Sequence, residues 1–224
     1  MQRIEIPETI PAMMLSETVF FPQSILPLYI FEHHYRKMLQ QVVEGDRMFT
    51  IVSPANERSS DPLLAQTPEI VTVGFVKACQ TYEDGTSTVL LEGIVRARVE
   101  EYVRHFPYPV LRVTSLEDYP HDGDKLFSLK SKTLQLIESI HHQGGEVSED
   151  LIHHLKQIDL PEHFVDHATA SCVQNSAEKM RILKCTNPVQ RYESLLHRLQ
   201  TELYHIKLLN EIKGDLSVDQ IRNN

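Results

Sequence analysis

The chain has 224 residues, 41% of them apolar and 24% charged, an ordinary soluble globular composition that allows one large domain or two modest ones. Its formal net charge of −9 opposes sequence-independent attachment to phosphate backbones or anionic lipid, because such binding needs clustered lysine and arginine. Nucleic acid and membrane are therefore both unfavoured as partners: no apolar run approaches the roughly 20 residues needed to span a bilayer, and Met1 to Glu8 lacks the apolar core of a signal peptide.

Taken in chain order, short β-type apolar runs surround Pro22 and Pro27, and at Phe31 the pattern changes to a helical period in Tyr35, Met38, Leu39, Val42 and Val43. This predicts a strand, turn, strand, helix unit with the helix over about 31–44. The polar stretch Ala55 to Pro68 predicts an exposed loop. Val71, Val73 and Phe75 then alternate with other residues, Glu83-Asp84-Gly85-Thr86 makes a turn, and a long strand returns through Val95-Arg96-Ala97-Arg98-Val99, which together predict a hairpin. Tyr108 to Val113 is a further strand, and Tyr119 to Asp124 is the best boundary in the chain.

Beyond that boundary the period is helical. Asp124 is the expected N-cap of a helix carrying Leu126, Leu129, Leu136, Ile137 and Ile140, which Gly144-Gly145 ends. Ser148 is placed to cap a second helix, Pro161 opens a third with Phe164, Ala168 and Cys172 on one face, and a shorter one lies around Met180. Asn187 and Pro188 begin the last, with Gln190 placed to complete a capping box; Val189, Tyr192, Leu196, Leu199, Leu203 and Ile206 form its apolar seam, and Gly214 is its expected end. The reading is a two-part α+β protein: strands with one inserted helix over 1–119, a helical bundle over 124–214, and a fraying polar tail over 215–224.

Several chemistries lack their residues. Cys79, Cys172 and Cys185 form no CxxC pair and are odd in number, which fits a reducing cytoplasm and gives neither a disulfide framework nor a thiolate zinc site. No two of the eight glycines sit two or four apart and none precedes a lysine, so the dinucleotide fingerprint, the nucleophile elbow and the P-loop are all missing. His163-Phe164-Val165-Asp166-His167 approaches an H-x-x-E-H zinc motif, but the acid is aspartate, spacing supplies no third ligand, and Phe164 and Val165 read as core. The pairs His33-His34, His141-His142 and His153-His154 point about 100° apart on a helix and chelate poorly. No catalytic, cofactor-binding or metal-binding residue is assigned. Arg96, Arg98, Arg104 and Arg112 interleave with Tyr82, Tyr102, Phe106 and Tyr108, which keeps an RNA-binding surface as the alternative, diluted by Glu83, Asp84, Glu92, Glu100 and Glu101.

Three stretches carry a resemblance: Leu26-Pro27-Leu28-x-Ile30-Phe31-Glu32-x-x-Tyr35-Arg36-x-Met38, then Val73-Gly74-x-Val76, then Asp84-Gly85-Thr86 followed by Leu91-Glu92-Gly93-x-x-Arg96-Ala97-Arg98. Weaker continuations are Phe164-Val165-Asp166-x-Ala168 and Asn187-x-x-x-Arg191-Tyr192-x-x-Leu195. Together they resemble the amino-terminal substrate-recognition domain of Lon proteases, in the form found as a stand-alone bacterial protein; His33-His34 departs from the family pattern. The resemblance implies a PUA-like β-barrel before the bundle. It also implies non-catalytic recognition of unfolded or exposed polypeptide segments, with a protease or chaperone as a further partner, and neither ATPase nor protease activity. Phe20 and Phe21, in the most aromatic part of the strand region, are the candidate peptide contacts, against a core role that is commoner for buried-type aromatics.

Overall fold

The fold is seen in a computed structural model that describes residues 5–53, 70–119 and 122–222. The expected loop Ala55 to Pro68, and Pro120 and His121 of the expected boundary, lie outside the described residues. Six strands and six helices follow in the order β1 (Thr9–Met14), β2 (Ile25–Ile30), α1 (His33–Glu44), β3 (Met48–Val52), β4 (Ile70–Thr81), β5 (Ser87–Arg104), β6 (Val110–Ser115), α2 (Gly123–His142), α3 (Glu149–Lys156), α4 (Pro161–Cys172), α5 (Ser176–Leu183) and α6 (Pro188–Arg222). The fold is mixed α+β.

The strands form one sheet in the order β2-β5-β4-β3-β1-β6, with a further pairing between β6 and β5. The 18 residues of β5 make this possible. Its first half pairs with β2 and β4, and its second half, from Ala97 to Arg104, pairs with β6, so the run of ladders returns to the strand it left. Irregular pairing between Val99 and Glu101 and between Tyr102 and Arg104 bends β5 where it changes partner. Strand β1 pairs in parallel with β3, and the other ladders are antiparallel.

The Val19-Phe20-Phe21 run is loop, and Phe20 and Phe21 are enclosed, 4% and 0% exposed. Backbone hydrogen bonding decides this. The Thr72 hydroxyl donates to the Phe20 carbonyl at 2.6 Å, and the Ser24 hydroxyl donates to the Phe21 carbonyl at 2.6 Å, so the run closes a turn instead of extending a ladder. Gly93 admits the turn: its carbonyl accepts from the Gln23 N–H at 2.7 Å, its N–H donates to the Ser24 carbonyl at 2.9 Å, and a Cβ there would strike the Phe21 carbonyl.

Chain contacts divide the molecule into two units, Met1–Tyr119 with Asn175–Thr186, and Pro120–Gln174 with Asn187–Asn224. Helix α5 thus belongs with the strands, not with the bundle that its sequence position suggested. The cause is specific: Arg96, 4% exposed on β5, donates from Nε to the Leu183 carbonyl at 3.0 Å, and the Tyr119 N–H donates to the Thr186 carbonyl at 3.1 Å. In the strand unit, one core cluster lies under α1 around Phe20, Met38, Phe49 and Leu91, and another surrounds Ile10, Val73, Ala97 and Leu111.

In the helical unit α2, α3, α4 and α6 enclose Leu126, Ile137, Leu155, Phe164, Tyr192 and Leu199. Asp122, two residues before the expected cap, accepts from the Asp124 N–H at 3.0 Å and begins α2; Ser148 caps α3 and Asn187 caps α6. Helix α6 continues through Gly214 to Arg222, where the sequence suggested a stop and a frayed tail. A single interior glycine costs only about 1 kcal/mol relative to alanine, too little to end a helix whose neighbours on both sides favour it.

The two weakly matching stretches meet inside this unit. Arg191 on α6 is 0% exposed and its Nη1 donates to both oxygens of Asp166 on α4, at 2.9 and 3.0 Å, where Asp166 is 3% exposed. At the next residue the Tyr192 hydroxyl donates to the Pro161 carbonyl at 2.7 Å, and its ring stacks on Phe164 with centroids 6.3 Å apart.

Candidate functional site

An apolar surface lies on the outer side of β2, β5 and β4. Strand β2 is the end strand of the sheet and pairs with β5 alone. Along it Leu28 and Ile30 enter the core, while Ile25 and Tyr29 point outward at 45% and 56% exposure with Pro27 between them. Phe31 follows at 60% exposure and stacks on Tyr29 with ring centroids 6.1 Å apart. Across the ladder Pro27 faces Leu90, itself exposed, and Leu90 faces Ala78 on β4. The irregular pairing at Lys77 turns Val76 inward and Ala78 outward, which brings β4 into the same face.

Polar contacts fix the aromatic side chains. The Tyr29 hydroxyl donates to Thr86 Oγ1 at 3.1 Å, and the Tyr82 and Thr88 hydroxyls are hydrogen-bonded at 3.1 Å. Thr86 is held by Asp84, which accepts from its N–H at 2.9 Å and its hydroxyl at 2.7 Å; these bonds keep the Asp84 carboxyl below the usual carboxylate range. Gly85 provides the positive φ of 79° that this turn requires. An ion pair between Lys77 and Glu92 at 3.1 Å borders the apolar surface. The result is a contiguous apolar face with ordered aromatics and a charged rim, the anatomy of a binding surface.

Phe20 and Phe21 do not reach this surface: both side chains are enclosed within the strand unit, and the aromatic residues exposed on this surface are Tyr29 and Phe31. The sequence contained the signal for Ile25 and Tyr29 in the odd-numbered residues of an end strand, but with Ile25-Leu26-Pro27-Leu28-Tyr29-Ile30 almost uniformly apolar, alternation could not tell the two faces apart.

The other candidates resolve into structural roles. Asp166 is the acid of the zinc-like segment, and it faces Arg191, while His167 packs edge-on to His154. No group of three or more histidine, cysteine or acidic side chains that could hold a metal ion occurs among the described residues. The basic and aromatic residues considered for RNA are largely engaged within the protein: Arg96 bonds to Leu183, Arg112 pairs with Glu8 and Glu101, and Arg104 lies over the Tyr108 ring at 4.8 Å from its centroid. No described helix is long and apolar enough to cross a membrane.

Comparison with known proteins places these features. Relatives include the Lon protease of Desulfosudis oleivorans, 23% identical over 216 residues that cover 96% of this chain and 26% of that protein, and Lon protease 2 of Myxococcus xanthus, 27% identical with coverage of 96% and 27%. The chain thus spans about a quarter of the length of the relatives it matches. Among solved structures, the N-terminal domain of Mycobacterium avium complex Lon protease superposes with a TM-score of 0.66 at 12% identity, covering 86% of this chain and 98% of that one. A Lon N-terminal domain protein from Xanthomonas campestris gives 0.61 at 16% identity, with coverage of 84% and 97%. With residues 9–201 matching the model of the ATP-dependent protease La (LON) substrate-binding domain, the chain belongs to that family.

Proposed function

We propose that this chain is a non-catalytic, cytoplasmic recognition module for exposed apolar segments of unfolded polypeptides, serving a protease or chaperone. Its strands, whose ladders return to β5, are read as a PUA-like barrel with α1 inserted and α5 added, followed by a helical bundle of α2, α3, α4 and α6. The observation that carries the functional reading is the face around Tyr29, Phe31 and Leu90, in a family defined by substrate binding. Rigid aromatics on an ordered strand lose little conformational freedom when covered.

Their size sets the expected strength. Tyr29 and Phe31 are 56% and 60% exposed, and side chains of this type offer about 150–250 Å² each, so covering both removes roughly 200 Å² from water. At about 25 cal/mol per Å² that contributes about 5 kcal/mol. Association itself costs about 4–15 kcal/mol, so a single segment should bind weakly, with micromolar or poorer affinity, and release readily. Covering the face is favoured over adding a strand at the edge of β2, because Pro27 removes a backbone donor from the middle of that edge.

The test compares, by fluorescence anisotropy, a reduced unfolded model protein, its folded form and a mixed-sequence RNA oligonucleotide across a salt series. The unfolded chain should bind most tightly and lose little affinity between low and moderate salt, whereas phosphate contacts would give a steep loss. Tyr29→Ser with Phe31→Ser should weaken unfolded-chain binding at least tenfold, that is by about 1.4 kcal/mol or more. Unchanged binding by that variant, or preferential salt-sensitive RNA binding, would overturn the reading.

A further inference from the structure

The β4–β5 hairpin has a second side. Its outer face carries the apolar surface described above, and its inner face turns toward α1, where a cavity of about 460 Å³ remains between helix and hairpin. That volume is in the range of small-ligand sites. Its apolar wall is formed by Leu39 and Val43 of α1 and by Cys79 of β4, and Thr81 and Ser87, hydrogen-bonded to each other at 3.0 Å, add hydroxyls.

The charges are arranged along the helix. Arg36 and Lys37 line the end near the start of α1, and Glu44 lines the other, seven to eight residues further on; at 1.5 Å per residue the two ends are about 10–12 Å apart. Glu44 accepts a hydrogen bond from Gln40 Nε2 at 3.3 Å. The side chains of Arg36 and Lys37 make no hydrogen bond or ion pair among the described residues. Arg36 lies against Gly85, where a Cβ would collide with its guanidinium, and Asp84, whose carboxyl its charge helps to lower, is already bonded twice by Thr86. Helix α1 has no acidic residue in its first turn, and the carboxylate of its N-cap residue Glu32 lies toward His34, at 3.6 Å, so the charge of Arg36 and Lys37 is what sets this end of the cavity. A half-buried guanidinium with an ammonium beside it, adjoining an apolar wall, is suited to a carboxylate attached to an apolar group.

We propose that this cavity binds the carboxyl terminus of a polypeptide whose last residue is aliphatic: the carboxylate lies between Arg36 and Lys37, the terminal side chain lies on Leu39, Val43 and Cys79, and the Thr81–Ser87 hydroxyl pair faces the last peptide group. The paired hydroxyls favour a peptide over a fatty acid, which has no amide to offer them. This rests on the polypeptide-recognition reading, and it adds an anchoring end to the non-directional outer face.

The experiment uses the full chain and a fluorescein-labelled octapeptide ending in Val-Leu-Leu, with either a free carboxylate or a carboxamide. The free acid should bind at least tenfold more tightly, Arg36→Gln and Lys37→Gln should each reduce that preference, and the bound peptide should slow iodoacetamide alkylation of Cys79 several-fold. Tyr29→Ser with Phe31→Ser should leave the acid-over-amide preference intact. Equal affinity of acid and amide, or no protection of Cys79, overturns the proposal, as does decanoate binding while the peptide does not. If acid and amide are equal but unfolded protein still binds through the outer face, only this proposal fails. If the acid is preferred but unfolded-protein binding ignores Tyr29 and Phe31, only the outer-face reading fails.

Discussion

Substituting Asp166→Asn keeps nearly the same shape and removes one charge, so it isolates the electrostatic demand of the pair between α4 and α6. Arg191 would remain 0% exposed, with its two bonds of 2.9 and 3.0 Å now made to a neutral amide that can accept through only one oxygen. Moving an ion into a low-dielectric interior costs several kcal/mol even after relaxation, and breaking a buried pair by removing one partner costs about 3–5 kcal/mol. Domains of ordinary stability have about 5–15 kcal/mol in total, so about a fifth or more of it would be lost. For a chain of this size the loss corresponds to a fall of roughly 10 °C in Tm.

Urea unfolding followed by circular dichroism at 222 nm is the suitable assay, since the chain has no tryptophan and the signal comes chiefly from helices. The companion variant Asp166→Leu with Arg191→Met removes both charges and should recover most of the loss, because two well-packed apolar side chains carry no desolvation penalty. The exposed Asp159→Asn is the control and should stay within about 0.5 kcal/mol of the parent. A loss below about 1 kcal/mol for Asp166→Asn would refute the reasoning, since it would mean that Arg191 finds solvent or another anion once Asp166 is neutral.

Two further outcomes follow from the same helical unit. Leu199, 1% exposed in the seam of α6, should cost about 2–5 kcal/mol on substitution to alanine, while Leu209→Ala, 54% exposed ten residues later, should change stability by less than about 0.5 kcal/mol; equal effects in urea titrations would contradict the assigned seam. Burial, reinforced by nearby Glu162, pushes the Tyr192 phenol above its ordinary value. The folded state therefore holds that proton more tightly than the unfolded state, so its contribution is fully present below the unfolded tyrosine value of about 10 and is lost as pH rises beyond it. Urea midpoints measured from pH 9 to 11 should fall for the parent and fall less for Tyr192→Phe; parallel curves would remove Tyr192 from that dependence.

Local sequence rules placed α1, the β4–β5 hairpin, β6, α3, α4 and the start of α6, because each is specified by a period, a proline or a capping side chain within a few residues. The failures have a different origin. Val19-Phe20-Phe21 has the composition of a strand, and the distant Thr72 and Gly93 together with Ser24 decide that it is a turn. Helix α5 reads as one more bundle helix, and distant partners, among them Arg96, 87 residues before Leu183, assign it to the strands. The same limit applied to the site. An end strand apolar on both sides shows no contrast, so the outward row at Ile25, Tyr29 and Phe31 became visible only when Leu28 and Ile30 were seen to enter the core.

The residues that carried the resemblance are mostly concerned with holding the fold. Gly93 seals the turn at Phe21, Arg96 anchors α5, Asp84-Gly85-Thr86 shapes the hairpin tip, and Asp166 with Arg191 joins α4 to α6. Each needs a particular side chain because its partner is a backbone group, a close approach or a buried charge. The outer face makes no such demand. A segment covering it as proposed would be attracted to Ile25, Tyr29 or Leu90 by apolar area, and another apolar side chain of similar size would serve almost as well. Low identity over nearly the whole chain, together with a retained fold, is the pattern expected when structure depends on a few exacting positions. Substitution of Tyr29 by leucine should therefore preserve most of the affinity for unfolded chains, whereas serine should not. If leucine and serine were equally damaging, the hydroxyl bond to Thr86, and not apolar area, would be what the outer face contributes.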